Sequence, residues 1–273
     1  MQLVCLTELL LKQICYSKLE LHLNKPHELA AESDVLFLML GYPHDVESMV
    51  LGEKGILKHM KPGSFLIDHT TSSPGLAYKI WEEAKEREIH SLDAPVSGGD
   101  IGAKNGQVIT MVGAEEEAFE KIEPLFNHYS KTVKLMGGPS KGQHTKAANQ
   151  IMIGTNMLGV AEALIYSHKA GLDIEEIISL LSGGAAGSFS LSALGPRMHK
   201  RDFDPGFYVE HFAKDLAIVL DEAKNGDLSL PGTALSHQLY RSVMANGGSR
   251  DGTQAILKTY EQLNNTKIPA KDD

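Results

Sequence analysis

The chain has 273 residues, 42% of them hydrophobic and 22% charged, a balance that excludes a disordered tail, a collagen and a coiled coil. With 35 acids against 26 bases the net charge is −9 and no Lys/Arg-rich run is present, which argues against nucleic acid or an anionic membrane as a partner. The length suits one large domain or two modest ones.

Residues 1–25 mix bulky apolar residues with scattered charges and show no assignable period. Glu8 interrupts the lead-in to Leu9-Leu10-Leu11, no convincing small-residue cleavage site follows, and the first arginine is Arg87. Neither a signal peptide nor an Arg-rich transit peptide is expected. Cys5 and Cys15 lack CxxC or Cys/His spacing, so no disulfide framework and no metal site are expected. These features point to a reducing, cytoplasmic setting, with organellar targeting left open for a longer form.

From Pro26 the pattern becomes regular. Residues 27–32 read as a short helix, and the apolar run 35–40 reads as a buried parallel strand. A polar helix is expected around 45–51, a turn at Lys61-Pro62-Gly63, and a strand over 64–69. Ser73 before Pro74 is an N-cap and N1 pair, opening a helix that runs to about Arg87. Strands are expected over 89–93, 108–112 and 132–136, and Glu115-Glu116-Glu117 open a helix with acids at its positive end. Residues 26–140 thus form an α/β domain with a largely parallel sheet.

After Gly137-Gly138-Pro139 the grammar turns helical. One long helix covers 142–170, apolar nearly all round and closed by Gly171, which predicts burial by several neighbours. Its run over 147–161 is broken by Asn149, Gln150, Thr155 and Asn156 and is too short to span a membrane. Helices follow over 174–181, 211–225, 232–245 and 252–264, and Lys271-Asp272-Asp273 read as a frayed end. A sheet domain followed by an all-helical domain over 141–273 is a two-domain enzyme layout with a cleft expected between them.

Four segments could carry chemistry. Asp93-Ala94-Pro95-Val96-Ser97-Gly98-Gly99 ends a strand, where ligands of open α/β sheets bind. Ser97 and the bare backbone of Gly98 and Gly99 either hold a carboxylate or make an ordinary tight turn. Lys146, Asn149 and Gln150 stand at i, i+3 and i+4 and share a helix face, lining a cleft or reaching a rim. Lys214 and Asp215 lie off the apolar stripe of Phe212, Leu216, Val219, Leu220 and Ala223, so periodicity favours a solvated face. In Asp68-His69-Thr70-Thr71-Ser72-Ser73, Ser73 caps a helix and Thr71 is open to a ligand role.

Taken together and in this order, these segments resemble the β-hydroxyacid dehydrogenase family, which includes 3-hydroxyisobutyrate dehydrogenase, tartronate semialdehyde reductase and the glyoxylate/succinic semialdehyde reductases. DAPVSGG at 93–99, followed by the Gly142-xxx-Lys146-xx-Asn149 helix start, carries the resemblance, which runs from about Pro26 to about Asn264. It implies a Rossmann-like NAD(P)-binding domain and a helical domain like the C-terminal part of 6-phosphogluconate dehydrogenase, joined by the long helix. It implies NAD or NADP as cofactor, a small carboxylate as substrate, and a homo-oligomer, dimer or tetramer.

The resemblance also implies roles. Lys146 would be the general acid in carbonyl reduction and the base in alcohol oxidation. Ser97, Gly98 and Gly99 would hold the substrate carboxylate, with Asn149 beside the lysine and Gln150 in place of a second asparagine. Leu40, Gly41, Asp45 and Thr71 would contact the cofactor, as would Lys214, followed by Asp215 in a shared Ala-Lys-Asp signature. The departure is at the front. No two glycines stand two positions apart, so the family's GxGxMG turn is absent, and residues 1–25 read as a missing or replaced first βα unit. Two readings follow: a working dehydrogenase, or a catalytically impaired relative kept as an oligomerisation module.

Overall fold

In the computed structural model, residues 3–7 and 25–270 are described. The elements in chain order are β1 (Leu3–Thr7), α1 (Pro26–Glu32), β2 (Val35–Met39), α2 (Pro43–Leu51), β3 (Phe65–Asp68), α3 (Pro74–Lys85), β4 (His90–Asp93), β5 (Val96–Ser97), α4 (Gly99–Lys104), β6 (Val108–Gly113), α5 (Glu116–Phe126) and β7 (Ser130–Gly137). They continue as α6 (Lys141–Lys169), α7 (Ile174–Ser182), α8 (Gly195–His199), α9 (Val209–Asn225), α10 (Pro231–Ala245) and α11 (Ile256–Leu263). The chain divides into two units, 1–146 and 147–273, with the division falling inside α6.

The first unit is built on a seven-stranded sheet. Strands β1 to β4 run parallel in sequential order, so Thr7 pairs with Met39, Leu38 with Asp68, and Asp68 with Asp93. Their carboxyl ends therefore open on one edge. Alternate residues of β2 face opposite sides. Leu36 and Leu38 pack with Val46 and Val50 of α2 and Ile80 and Ala84 of α3. Val35 and Phe37 pack with Phe119, Ile122 and Phe126 of α5. Helices on both faces explain why β2 is a continuous apolar run rather than an alternating one. Each such fully buried aliphatic or aromatic side chain contributes about 1.5–3 kcal/mol.

Local signals place the helix ends. Ser73 Oγ accepts the N–H of Leu76 at 3.2 Å, capping α3 before Pro74. Glu116 and Glu117 occupy the first turn of α5. Gly171, at φ +72°, ends α6 in the left-handed region.

The sheet is largely parallel, as expected, and β6 departs from it by running antiparallel to β4 and β5, with β7 parallel to β6. Other expectations are corrected. Residues 3–7, which had no readable period, form a strand held by backbone pairing to β2, a partner about thirty residues away that a five-residue window cannot reveal. The expected replacement of a first βα unit otherwise concerns residues 8–24, outside the described residues, as does the frayed end at 271–273.

The second unit is helical around a core drawn from α6 to α11. Phe212 of α9 meets Tyr240 of α10 edge-on at 4.9 Å, and the Tyr240 hydroxyl donates to Thr253 O at 2.9 Å. Arg201 forks onto both oxygens of Glu261 at 2.7 and 3.1 Å. Unread in the sequence were α8 and the π turn Ser190–Leu194 before it. The expected helix over 252–264 begins as a 3-10 turn, Thr253–Ala255. Nor is α6 buried all round: Met152 is 60% and Tyr166 73% exposed, because an apolar residue signals a buried face only where a neighbour packs on it.

Candidate active site

Lys146 lies in the second turn of α6, the last residue of the first unit. Its side chain is 7% exposed, and Nζ donates to Val96 O at 2.8 Å. Val96 directly precedes Ser97-Gly98-Gly99. This segment is a stiffened loop: Val96 and Ser97 pair with Thr110 and Ile109 of β6 as the short strand β5. Gly98 then turns at φ +130°, a region closed to side chains, and α4 starts at Gly99. The sequence places a hydroxyl and two bare backbone N–H groups here, and the fold brings them next to the lysine's hydrogen-bond partner.

What holds Lys146 there is a junction at the end of β4. Asp93 accepts two backbone N–H groups from the start of α6, Ser140 N at 2.7 Å and Gln143 N at 2.8 Å. A carboxylate satisfies donors left open at a helix N-terminus and meets its positive end. Gly142 sits so close that a Cβ would strike the carbonyl oxygens of Asp93 and Met111. Burial nevertheless dominates, pushing the Asp93 carboxyl up from 3.8 to about 7.

Gln143 also spans to the loop after β3. Its Nε2 donates to Thr70 O at 2.7 Å, and its Oε1 accepts Ser72 N–H at 3.0 Å. Half-buried Thr71 is bracketed between them. Asp68 Oδ1 accepts the N–H of Thr70, and Thr70 Oγ1 accepts the N–H of Leu40 at 2.8 Å, joining this loop to Leu40 and Gly41 beyond β2. Asp45 caps α2, its Oδ2 accepting Tyr42 N–H at 3.0 Å. His69 is fastened below: Nδ1 donates to Ala94 O at 2.6 Å and Nε2 accepts from Tyr129 OH at 2.9 Å. Burial lowers its pKa from 6.5 to about 4, which keeps the ring neutral.

A second group forms within the helical unit. Asn149 Nδ2 donates to Gln150 Oε1 at 2.7 Å, and Gln150 Nε2 donates to Asp215 Oδ2 at 2.6 Å. Lys214 Nζ lies 2.8 Å from Asp215 Oδ1. Asp215 is 1% exposed, so the solvated face expected from periodicity is wrong. A lysine and an aspartate off the apolar stripe can be buried when they pair with each other and with an amide on another helix. The predicted residues therefore fall into two sets. Lys146, Ser97, Gly98, Gly99, Thr71, Leu40, Gly41 and Asp45 belong to the first unit, and Asn149, Gln150, Lys214 and Asp215 to the second. Sequence reasoning gave no role to Gln143 or Asp93. The i, i+3 spacing of Gln143 and Lys146 was the signal available for the first of them.

Comparison with known proteins shows the family of the chain. Residues 10–138 match the NAD-binding domain of 6-phosphogluconate dehydrogenase, and 140–260 match the NAD-binding domain of NADP-dependent 3-hydroxyisobutyrate dehydrogenase. The chain is 48% identical to probable 3-hydroxyisobutyrate dehydrogenase-like 1, mitochondrial, of Arabidopsis thaliana, covering 91% of this chain and 75% of that one.

The chain belongs to the β-hydroxyacid dehydrogenase family.

Among its other relatives in this family is the 2-hydroxy-3-oxopropionate reductase of Escherichia coli, 39% identical over 86% of this chain and 81% of that protein. The crystal structure of 3-hydroxyisobutyrate dehydrogenase from Salmonella typhimurium superposes with a TM-score of 0.77 at 26% identity, covering 86% of this chain and 82% of that one. The cofactor of this dehydrogenase is NAD or NADP. The aligned carboxyl ends of β1 to β3 fit such a dinucleotide, with half-buried Leu40, Gly41 and Thr71 on the loops leaving that edge. No glycine turn after β1 lies among the described residues, and the sequence there continues Glu8-Leu9-Leu10. Among the described residues no group of His, Cys, Asp and Glu could hold a metal ion, and no helix is long and apolar enough to cross a membrane.

Proposed function

We propose that this family member interconverts a short β-hydroxyacid and its semialdehyde or oxo acid, with Lys146 as general acid and base. One observation carries the reading. A buried lysine donates to the carbonyl that directly precedes Ser97-Gly98-Gly99, so a proton donor and a carboxylate-binding loop share one corner of the fold. The relatives' names point the same way, to short hydroxy or oxo acids bearing a carboxylate.

The nicotinamide ring, when bound, supplies or accepts a hydride. The protein does the rest. Reduction of a carbonyl leaves a developing alkoxide, and the Lys146 ammonium gives it a proton while stabilising its charge. For oxidation the same amine, neutral, accepts the hydroxyl proton. Ser97 Oγ and the N–H groups of Gly98 and Gly99 hold the carboxylate, which orients the reacting carbon. Asn149 donates to substrate beside the lysine, steadied by Gln150. Leu40, Gly41, Asp45 and Thr71 are the proposed cofactor contacts of the first unit, and Lys214, paired with Asp215, is that of the second. We further propose self-association as a dimer or tetramer, supported by the exposed Met152, Tyr166, Leu180 and Phe189 of the helical unit. A non-catalytic role draws on the missing glycine turn alone, and the enclosed setting of Lys146 speaks against it.

The test is NADH- and NADPH-dependent reduction of glyoxylate and succinic semialdehyde, beside Lys146→Ala. The variant is expected to lose on the order of 10²–10⁴-fold in kcat. Wild-type protein that neither turns over nor gains heat stability with either dinucleotide, or a Lys146→Ala variant of unchanged rate, overturns the reading.

A further inference from the structure

We infer that Gln143 is a positioning residue that couples the Thr70–Ser72 loop to the helical turn carrying Lys146. The inference rests on the proposed role of Lys146. Gln143 is 2% exposed, and every hydrogen-bonding atom of its side chain points at one target. Nε2 donates to the carbonyl before Thr71 and Oε1 accepts from the N–H after it. The same residue's backbone N–H is held by Asp93 at the end of β4. One residue thus joins two strand ends and lies three positions before Lys146, on the same helix face.

The chemistry of the link is specific. A carbonyl and an N–H flanking one residue require a neutral group that is donor on one arm and acceptor on the other, which an amide supplies. A helix start alone needs no such arm, because Asp93 already takes the N–H groups of Ser140 and Gln143. What the arm adds is a defined separation between the cofactor-side Thr71 and the Lys146 amine. Hydride transfer is sensitive to that separation: a misplacement of about 1 Å costs on the order of 100-fold in rate.

Two variants of the full chain test this. Gln143→Met removes both bonds at similar size. Gln143→Glu makes the link depend on a proton: the carboxylate still accepts from Ser72 N–H but repels Thr70 O, and the protonated carboxyl donates to it again. The ionisable neighbours are Asp68 on β3, His69 on the loop after it, Asp93 on β4, and His144 and Lys146 on α6. The helix start and the Lys146 ammonium favour the charged form, but burial outweighs the hydrogen bonds from that same helix start at Asp93, raising it to about 7, and the introduced carboxyl is expected to follow it, so rescue falls in an accessible range.

Gln143→Met is expected to lose on the order of 100-fold in kcat, with KM for the carboxylate substrate within about twofold. The kcat of Gln143→Glu, as a ratio to wild type, is expected to rise about tenfold or more between about pH 8.5 and 6, with the slope of one proton. In the cofactor-free chain, amide exchange at Ser72 is expected to quicken about tenfold or more in Gln143→Met, while exchange at residue 143, held by Asp93, stays unchanged. Unchanged Ser72 exchange overturns the coupling. So does quickened exchange with kcat held, or a Gln143→Glu ratio that is flat with pH. Wild-type protein without turnover refutes the reading of Lys146 instead. The coupling is then judged on NMR shifts in Gln143→Met, supported if the Thr71 methyl and the Lys146 ammonium both move and overturned if either stays.

Discussion

The carboxylate of Asp93 accepts the backbone N–H of Gln143 at 2.8 Å, and that bond fastens the end of β4 to the helix that carries Lys146. The two residues are fifty positions apart, and both are buried. Burial pushes the Asp93 carboxyl up to about 7, so between about pH 4 and 7 the folded chain holds a proton that the unfolded chain has lost. Stability from this group therefore falls as pH rises through that window. His69 does the opposite. Its folded pKa of about 4 lies below the ordinary 6.5, so its contribution is full above about pH 6.5 and lost as pH falls towards 4. Asp93→Asn is expected to leave a steeper acid loss than wild type, and His69→Gln a shallower one. Urea midpoints at about pH 4.5 and pH 7 read both slopes. Parallel pH curves for all three proteins contradict the assignment.

Gly142 has no room for a side chain, because a Cβ would strike the Asp93 and Met111 carbonyls. Gly142→Ala must push the start of α6 away from β4. A loss of about 1–3 kcal/mol or more is expected, with kcat falling along with it. Calorimetry shows the first and steady-state kinetics the second. A thermal midpoint equal to wild type counts against the close packing described.

Gly98 turns the proposed carboxylate loop at φ +130°. Gly98→Ala stores about 1–3 kcal/mol of backbone strain or reshapes the loop. The expected signature is a KM for the carboxylate substrate raised roughly tenfold, since the strain falls on substrate binding. Cofactor affinity should be little changed. An equal rise in the KM of both substrates places the loop's role elsewhere.

Lys214 and Asp215 form a close pair within the helical unit, with Gln150 on the second carboxylate oxygen. Removing one partner of a buried pair costs about 3–5 kcal/mol, because the other is left uncompensated. Asp215→Leu is expected to show such a loss, and Lys214→Met with Asp215→Leu to recover part of it. A double-mutant cycle in urea measures the coupling. Additive effects, with no recovery, indicate that the pair contributes nothing beyond its separate side chains.

Much of this was readable in one dimension, and the failures have a common cause. Apolar runs, Ser73-Pro74, the acids at 115–117 and Gly171 are local devices, acting within a turn or a strand, and they marked their elements to within a few residues. Lys214 and Asp215 read as solvated because helical periodicity reports an apolar stripe. It carries nothing about a polar partner waiting on another helix. Met152 failed in the other direction, as an apolar residue of a helix expected to be buried that lies 60% exposed.

By itself, the amino-acid sequence determined the order of the longer strands and helices from Pro26 on, the change from α/β to helical grammar, and the family, through DAPVSGG and the Gly142–Lys146–Asn149 spacing. These follow from propensity and short motifs, which need no knowledge of what lies across the fold. The tertiary structure decided that Leu3–Thr7 is a strand, that Asp93 caps a helix fifty residues on, and that Gln143 brackets Thr71. Each of those depends on a donor or acceptor finding a partner distant in the sequence. Leaving such a group unpaired costs about 1–3 kcal/mol, a penalty that exists only once the chain has closed around it.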